Sequence, residues 1–204
     1  MLVAQDLAAQ RGDALLFERL DFALRPGTAL FVTGPNGSGK TTLLRIVAGL
    51  TRAQSGRLTW DGIEVGAFDA ALRAAALFIG HAPALKEELS AEENLALLVS
   101  LHGGSADCGA LGEALTAWSL ARQRALPARV LSQGQRRRVA LARLRLAARP
   151  LWLLDEPTSA LDAAGIDMLC EVVGEHLKRG GMALIASHQE FAPSAGTTHS
   201  LRLQ

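Results

Sequence analysis

The chain has 204 residues, 49% hydrophobic and 20% charged, which suits one soluble globular domain with a continuous core. Lysine and arginine total 21 against 20 for aspartate and glutamate, and the formal net charge of +1 excludes a global pull toward nucleic acid or anionic lipid. No apolar run approaches the ~20 residues that span a bilayer, and Met1-Leu-Val-Ala-Gln-Asp6 lacks the basic and apolar stretches of a secretory signal, so a cytoplasmic chain is expected that meets a membrane only through a partner.

Short apolar runs rich in β-formers or bounded by turns alternate with longer segments of helical period, the pattern of an α/β fold. Strands are predicted at 2–4 and 20–24. Arg25-Pro-Gly-Thr28 reads as a turn into a third strand at 29–33, so the N-terminal part is expected to be antiparallel. A helix follows at 40–50, then strands at 57–60 and 77–79. Helices are predicted at 91–102, 109–118 and 134–148, a strand at 151–154, a helix at 163–179, and strands at 183–186 and 199–203. The stretch 90–127 has helical signals and little strand character, and reads as a helical insertion in the sheet domain. Between Ala114 and Leu154 stand nine arginines and no acidic residue. A solvated helix face accounts for them more simply than a nucleic-acid stripe, which stays open on this ground alone. Cys108 and Cys170 have neither C-x-x-C spacing nor a histidine at metal-ligand spacing, and are expected to be small packing residues in a reducing compartment.

Gly34-Pro35-Asn36-Gly37-Ser38-Gly39-Lys40-Thr41 fits G-x-x-x-x-G-K-[ST] between an apolar strand and an apolar-periodic helix, the context this phosphate-binding loop requires. The glycines permit backbone angles that let successive N–H groups converge on phosphate oxygens, and the helix adds its positive end. Lys40 is suited to neutralising β- and γ-phosphate charge, the Thr41 hydroxyl to ligating Mg²⁺, and Thr42 offers a further donor. Downstream, Leu151-Trp-Leu-Leu154 lacks polar alternation, as a central parallel strand does, and is followed by Asp155 and Glu156. The C-terminal end of such a strand is where these sheets bind ligands. Asp155 is suited to holding Mg²⁺ and Glu156 to polarising the attacking water as general base.

Leu131-Ser132-Gln133-Gly134-Gln135 stands just before a long helix, with Gly134 21 residues upstream of Asp155. Ser132 with Gln135 is also a capping box, which explains it fully as a helix start. Its order and spacing nevertheless resemble the signature motif of the ABC ATPases. The resemblance extends through Pro157, the D-loop pattern Ser159-Ala-Leu-Asp162, and Ser187-His188, where His188 follows Glu156 by 32 residues as the family's switch histidine does. It implies a P-loop NTPase core with a mainly parallel sheet, an N-terminal antiparallel β subdomain and an inserted α-helical subdomain at approximately 82–148, within a single ATP-binding domain at 1–204. It also implies ATP and Mg²⁺ as ligands. Catalysis would take place in a homodimer, where Ser132, Gly134 and Gln135 of one copy face the γ-phosphate held by the other.

Two positions depart from the family pattern. His81 stands where the family has a glutamine that reaches Mg²⁺ and the attacking water; histidine can donate or accept a hydrogen bond there, or it is a turn residue. Arg11 aligns with the aromatic residue that stacks on adenine, and its guanidinium plane could stack likewise; Phe17 is a nearby candidate that could equally be core.

Ile79-Gly-His-Ala-Pro-Ala-Leu-Lys-Glu-Glu-Leu-Ser-Ala-Glu-Glu-Asn-Leu95 is similar to the matching stretch of the ATPase subunits of the haem-export, cytochrome c maturation system, with Ala82 in place of an expected glutamine. That resemblance implies integral membrane partner subunits docking at 81–94, a peripheral position on the cytoplasmic face of the inner membrane, and no nucleic-acid partner. An ABC ATPase serving another small molecule is the alternative. A soluble ABC ATPase acting on nucleic acid fits less well, because such relatives usually carry two cassettes or a long coiled coil.

Overall fold

The computed structural model describes residues 1–188 and 191–204. The chain opens with a hairpin: β1 (Leu2–Arg11) and β2 (Ala14–Leu24) pair antiparallel around Gly12–Asp13, with Gly12 at φ 60. The turn expected at 25–28 is present, with the Thr28 N–H donating to the Arg25 carbonyl at 3.1 Å. It does not make an antiparallel pair, however. It passes the chain to a second sheet through β3 (Thr28–Thr33), and the antiparallel partner of β2 is β1. After α1 (Lys40–Val47), β4 (Ser55–Trp60) and β5 (Ile63–Val65) complete a four-stranded antiparallel sheet of order β2-β1-β4-β5.

The sequence reading missed β5 and the next helix, α2 (Ala70–Ala75), which are too short to show a period; an Asp69 N-cap starts α2. Between β6 (Ala76–Ile79) and the next strand the described chain is helical: α3 (Ala91–Ser100), α4 (Cys108–Ala117), α5 (Gln133–Ala142) and single 3₁₀ turns at 121–123, 128–130 and 143–145. The helix expected to reach 148 ends at Ala142, where buried Arg143 turns to donate to the Phe78 carbonyl at 2.7 Å. Then come β7 (Leu151–Asp155), α6 (Ala163–Lys178), β8 (Met182–Ala186) and β9 (Thr197–Arg202), giving a parallel sheet of order β6-β7-β8-β3-β9.

Both faces of this sheet are buried, which is why its central strands read as unbroken apolar runs. Alternate residues sort into two cores. Phe31, Trp152, Leu154 and Ile185 pack with α6 and the helical segment, while Leu30, Val32, Leu153 and Leu184 pack with α1 and the antiparallel sheet. The arginine-rich stretch is only partly a solvated face: Arg122, Arg129 and Arg145 are exposed. Arg137 and Arg143 are buried, and Arg124, Arg136 and Arg138 pair with Glu92, Glu87 and Asp162. Cys170 is partly buried, but Cys108 is exposed rather than packed.

Where α6 packs on β7, the His176 ring stacks on Trp152 with centroids 3.7 Å apart, and its Nε2 bonds to the Met182 carbonyl at 3.1 Å. Burial pulls the imidazole down from 6.5 to about 4, so it folds neutral. Below pH 6.5 the unfolded chain therefore takes up a proton that the folded chain does not, and stability falls as pH drops from 6.5 toward 4. Urea midpoints at pH 7.5 and pH 5 should separate by more in the native chain than in His176→Phe, which has no imidazole to titrate. Equal separations contradict the assignment.

Candidate active site

The phosphate loop takes its shape from three positive backbone angles, φ 143 at Gly34, 86 at Gly37 and 97 at Gly39. Gly34 is also sterically fixed, since a Cβ there would meet the Leu203 carbonyl oxygen at 2.6 Å and Ser38 Oγ at 2.9 Å. Lys40, 8% exposed, folds back across the loop, and its ammonium donates to the Gly34 and Pro35 carbonyls at 2.8 and 3.0 Å. It has no carboxylate partner among the described residues, so its charge remains available to an anion entering the loop. The Ser38 hydroxyl beneath the loop is buried without a hydrogen-bond partner among the described residues. An unpaired buried donor in a ring of backbone N–H groups fits a phosphate ligand.

The parallel register brings the acidic pair to this loop. Asp155 ends β7 opposite Ala186 of β8, is 2% exposed, and accepts from the Thr41 hydroxyl at 2.9 Å (Oδ2) and 3.1 Å (Oδ1). Glu156 follows at φ 49, and its N–H donates to the Ala186 carbonyl at 2.8 Å. Its Oε2 accepts from the His188 N–H at 3.4 Å, and Oε1 stands 3.5 Å from His188 Nε2 with no hydrogen bond of its own among the described residues. A carboxylate with one buried oxygen unpaired is poised to accept a proton or hold a water.

A cavity of about 310 Å³ unites these groups. Asn36, Gly37, Gly39, Lys40, Thr41 and Thr42 form its floor, with Asp155, Glu156, His81 and His188 on one wall and Arg11 with Leu16 on another. His81 thus lines the cavity together with Asp155, Glu156 and His188. Arg11, not Phe17, reaches the cavity: Phe17 is 8% exposed and belongs to the core beside Gly39. Leu16 was missed by sequence reasoning; it stands against the loop, where a Cβ on Gly39 would meet the Leu16 Cβ at 3.0 Å.

Ser132, Gly134 and Gln135 do not line this cavity. The Ser132 hydroxyl accepts from the Gln135 N–H at 3.2 Å, and the Gln135 side chain accepts from the Ser132 N–H at 2.9 Å, so the capping box is formed. Ser132 remains exposed. A Cβ on Gly134 would meet the Ala160 carbonyl at 2.7 Å, so glycine lets α5 approach the loop after Glu156. There Asp162 caps α6 through the Gly165 N–H at 2.9 Å and pairs with Arg138 of α5, a hydrogen bond that holds the Asp162 carboxyl below its usual range. The segment after His81 is pinned at its far end by Asn94. Its buried amide accepts from the Lys86 N–H at 2.7 Å and donates to the Lys86 and Leu89 carbonyls at 2.9 and 3.0 Å, while Ser90 and Glu93 form a second capping box.

The sequence profile described as ABC transporter matches residues 17–159. A relative from Nitrosomonas europaea described as "Cytochrome c biogenesis ATP-binding export protein CcmA" is 43% identical over 203 residues, covering 100% of this chain and 95% of that one. In structure the chain is similar to a "Putative ABC transporter (ATP-binding protein)" from Pyrococcus furiosus, with a TM-score of 0.84, 26% identity, and 98% and 96% of the two chains covered. The fold also matches a dimeric post-hydrolysis state of the ATP-binding cassette MJ0796 bound to ADP and Pi, with a TM-score of 0.77, 24% identity, and 93% and 88% coverage. Phosphate loop, acidic pair and full-length relatives agree: the chain belongs to the ABC transporter family, as an ATP-binding and ATP-hydrolysing subunit.

Proposed function

We propose that this chain is the ATPase subunit of a membrane-bound exporter of cytochrome c maturation, working as two copies that complete each other's sites and driving haem export or the release of a haem-carrying chaperone. The observation that carries this reading is the 43% identity, along the whole chain, to a cytochrome c biogenesis export protein. In this reading the chain sits peripherally on the cytoplasmic face of the inner membrane, held by integral membrane subunits that dock on the segment 81–94. No helix among the described residues is long and apolar enough to cross a membrane.

The residues of the cavity divide the work. As ATP enters, Lys40 exchanges the Gly34 and Pro35 carbonyls for β- and γ-phosphate oxygens, while the N–H groups of Asn36 to Thr42 and the start of α1 cradle the anion. Mg²⁺ fits the hydroxyl and carboxylate oxygens of Thr41 and Asp155, which would hold it to neutralise phosphate charge. Glu156 accepts the proton of the attacking water, and His188 and His81 hydrogen-bond to the γ-phosphate and that water. Arg11 and Leu16 flank the base. Ser132, Gly134 and Gln135, which stand away from their own chain's cavity, serve the nucleotide of a second copy through the hydroxyl, amide and helix N-terminus.

Glu156→Gln should bind ATP and accumulate as a dimer, because the binding groups survive while the base is lost; gel filtration with ATP and a phosphate-release assay read this, and normal turnover removes Glu156 from the role. Calorimetry on Lys40→Ala should show ATP affinity reduced by a factor of about 100 or more, since a charge-assisted phosphate contact is lost; unchanged affinity contradicts the loop assignment. Pull-down of the tagged chain from detergent-solubilised membranes should bring integral membrane subunits with it. Recovery of RNA, or of the chain alone, overturns the exporter reading.

A further inference from the structure

Five main-chain carbonyls converge on one side chain that no motif required. Arg137 lies on the second turn of α5, five residues after Ser132, and is 2% exposed. Its Nη1 donates to the carbonyls of Gly80 and His81 at 2.7 and 3.2 Å, its Nη2 to those of Asp155 and Glu156 at 2.8 Å each, and its Nε to Pro157 at 3.4 Å. A guanidinium has five N–H groups in a fixed plane, so the whole donor set is used. No carboxylate pairs with it among the described residues, which leaves main-chain geometry as what it holds.

The carbonyls belong to two separate segments. One leaves β6 through His81, and the other leaves β7 through Glu156. Glu156 sits at φ 49, a backbone region that residues with side chains seldom occupy without support. Its N–H is fixed by the Ala186 carbonyl at 2.8 Å and its C=O by Arg137 at 2.8 Å, so the peptide groups on both sides of its Cα are held. Burial lowers the guanidinium to about 10, with the charges of Asp155 and Glu156 opposing that drop, so it remains a cation at neutral pH behind the acidic pair. Lysine would offer three donors from a single point and glutamine two, and neither spans both segments.

We propose that Arg137 is a positioning residue for ATP hydrolysis: it locks the main chain of His81 and Glu156 into one frame, referenced to the helix that carries Ser132, so that the water-facing groups keep their spacing. This inference rests on the reading of Glu156 as base and His81 as a water-facing residue. A displacement of about 1 Å in such groups is enough to cost about a hundredfold in rate.

The test compares the full-length chain with Arg137→Lys, Arg137→Gln and Arg137→Ala, using ATP calorimetry and steady-state hydrolysis. In Arg137→Lys and Arg137→Gln, kcat should fall roughly 10- to 100-fold while KM and ATP affinity stay within about threefold, because the phosphate loop is untouched. In Arg137→Ala, guanidinium far below denaturing concentration should restore part of kcat, whereas ammonium should not. If the alanine variant fails to fold, the kcat-against-KM split in the lysine variant decides. Normal kcat in folded Arg137→Lys and Arg137→Gln overturns the proposal, as does a rise in KM at unchanged kcat. Loss of the underlying reading shows separately, as normal hydrolysis by Glu156→Gln; an inactive Glu156→Gln beside a fully active Arg137→Lys defeats the positioning role alone.

Discussion

Strand β7 is apolar on both faces because helices cover one side and α1 with the antiparallel sheet covers the other, and the polar groups of the site begin where that cover stops. Leu151, Leu153 and Leu154 are fully buried, each contributing about 1.5–3 kcal/mol relative to exposure. Asp155 is the first residue along the strand that meets the end of the sheet, and parallel register puts it level with Ala186, one residue before Ser187 and two before His188. The same alignment leaves the Glu156 N–H bonded to the Ala186 carbonyl. Asp155, Glu156 and His188 there line the cavity shared with the phosphate loop. The core thus determines where these groups stand as well as stabilising the fold.

Parts of this arrangement that depend on local backbone are readable from the sequence. The loop from Gly34 to Thr42 needs its glycines and its following helix in consecutive order, and the strand before Asp155 announces its burial by having no polar alternation. Ser132 with Gln135 is equally local, and its capping box forms as the spacing demands. What the sequence conceals depends on distance along the chain. Leu16 is an ordinary strand residue until β2 is laid beside the loop. Arg137 takes its acceptors from residues 18 to 57 positions away, so its neighbours in sequence, two further arginines, give no sign that it alone is fully enclosed. The charge run that looked solvated is divided among burial, pairing and exposure for the same reason: Arg137 and Arg143 are buried, Arg124, Arg136 and Arg138 are paired, and Arg122, Arg129 and Arg145 are exposed, as helical spacing turns neighbouring arginines to different sides.

Two connections leave the cavity in different directions. One runs from the loop after Glu156 through Asp162 to Arg138, tying that loop to α5. The other runs from His81 to Asn94, whose buried amide holds the backbone at Lys86 and Leu89. Both ends of that segment are thus anchored, at Arg137 and at Asn94.

The Arg137 contacts go entirely to carbonyl oxygens, and every residue type supplies a carbonyl. The contacts themselves therefore do not depend on the side chains of the residues that supply them. At position 81 the group presented to the cavity is the imidazole, while the contact to Arg137 is made by the carbonyl, which a substitution there would keep. The support is thereby chemically separate from the face that lines the cavity, since one is made of main-chain carbonyls and the other of side chains.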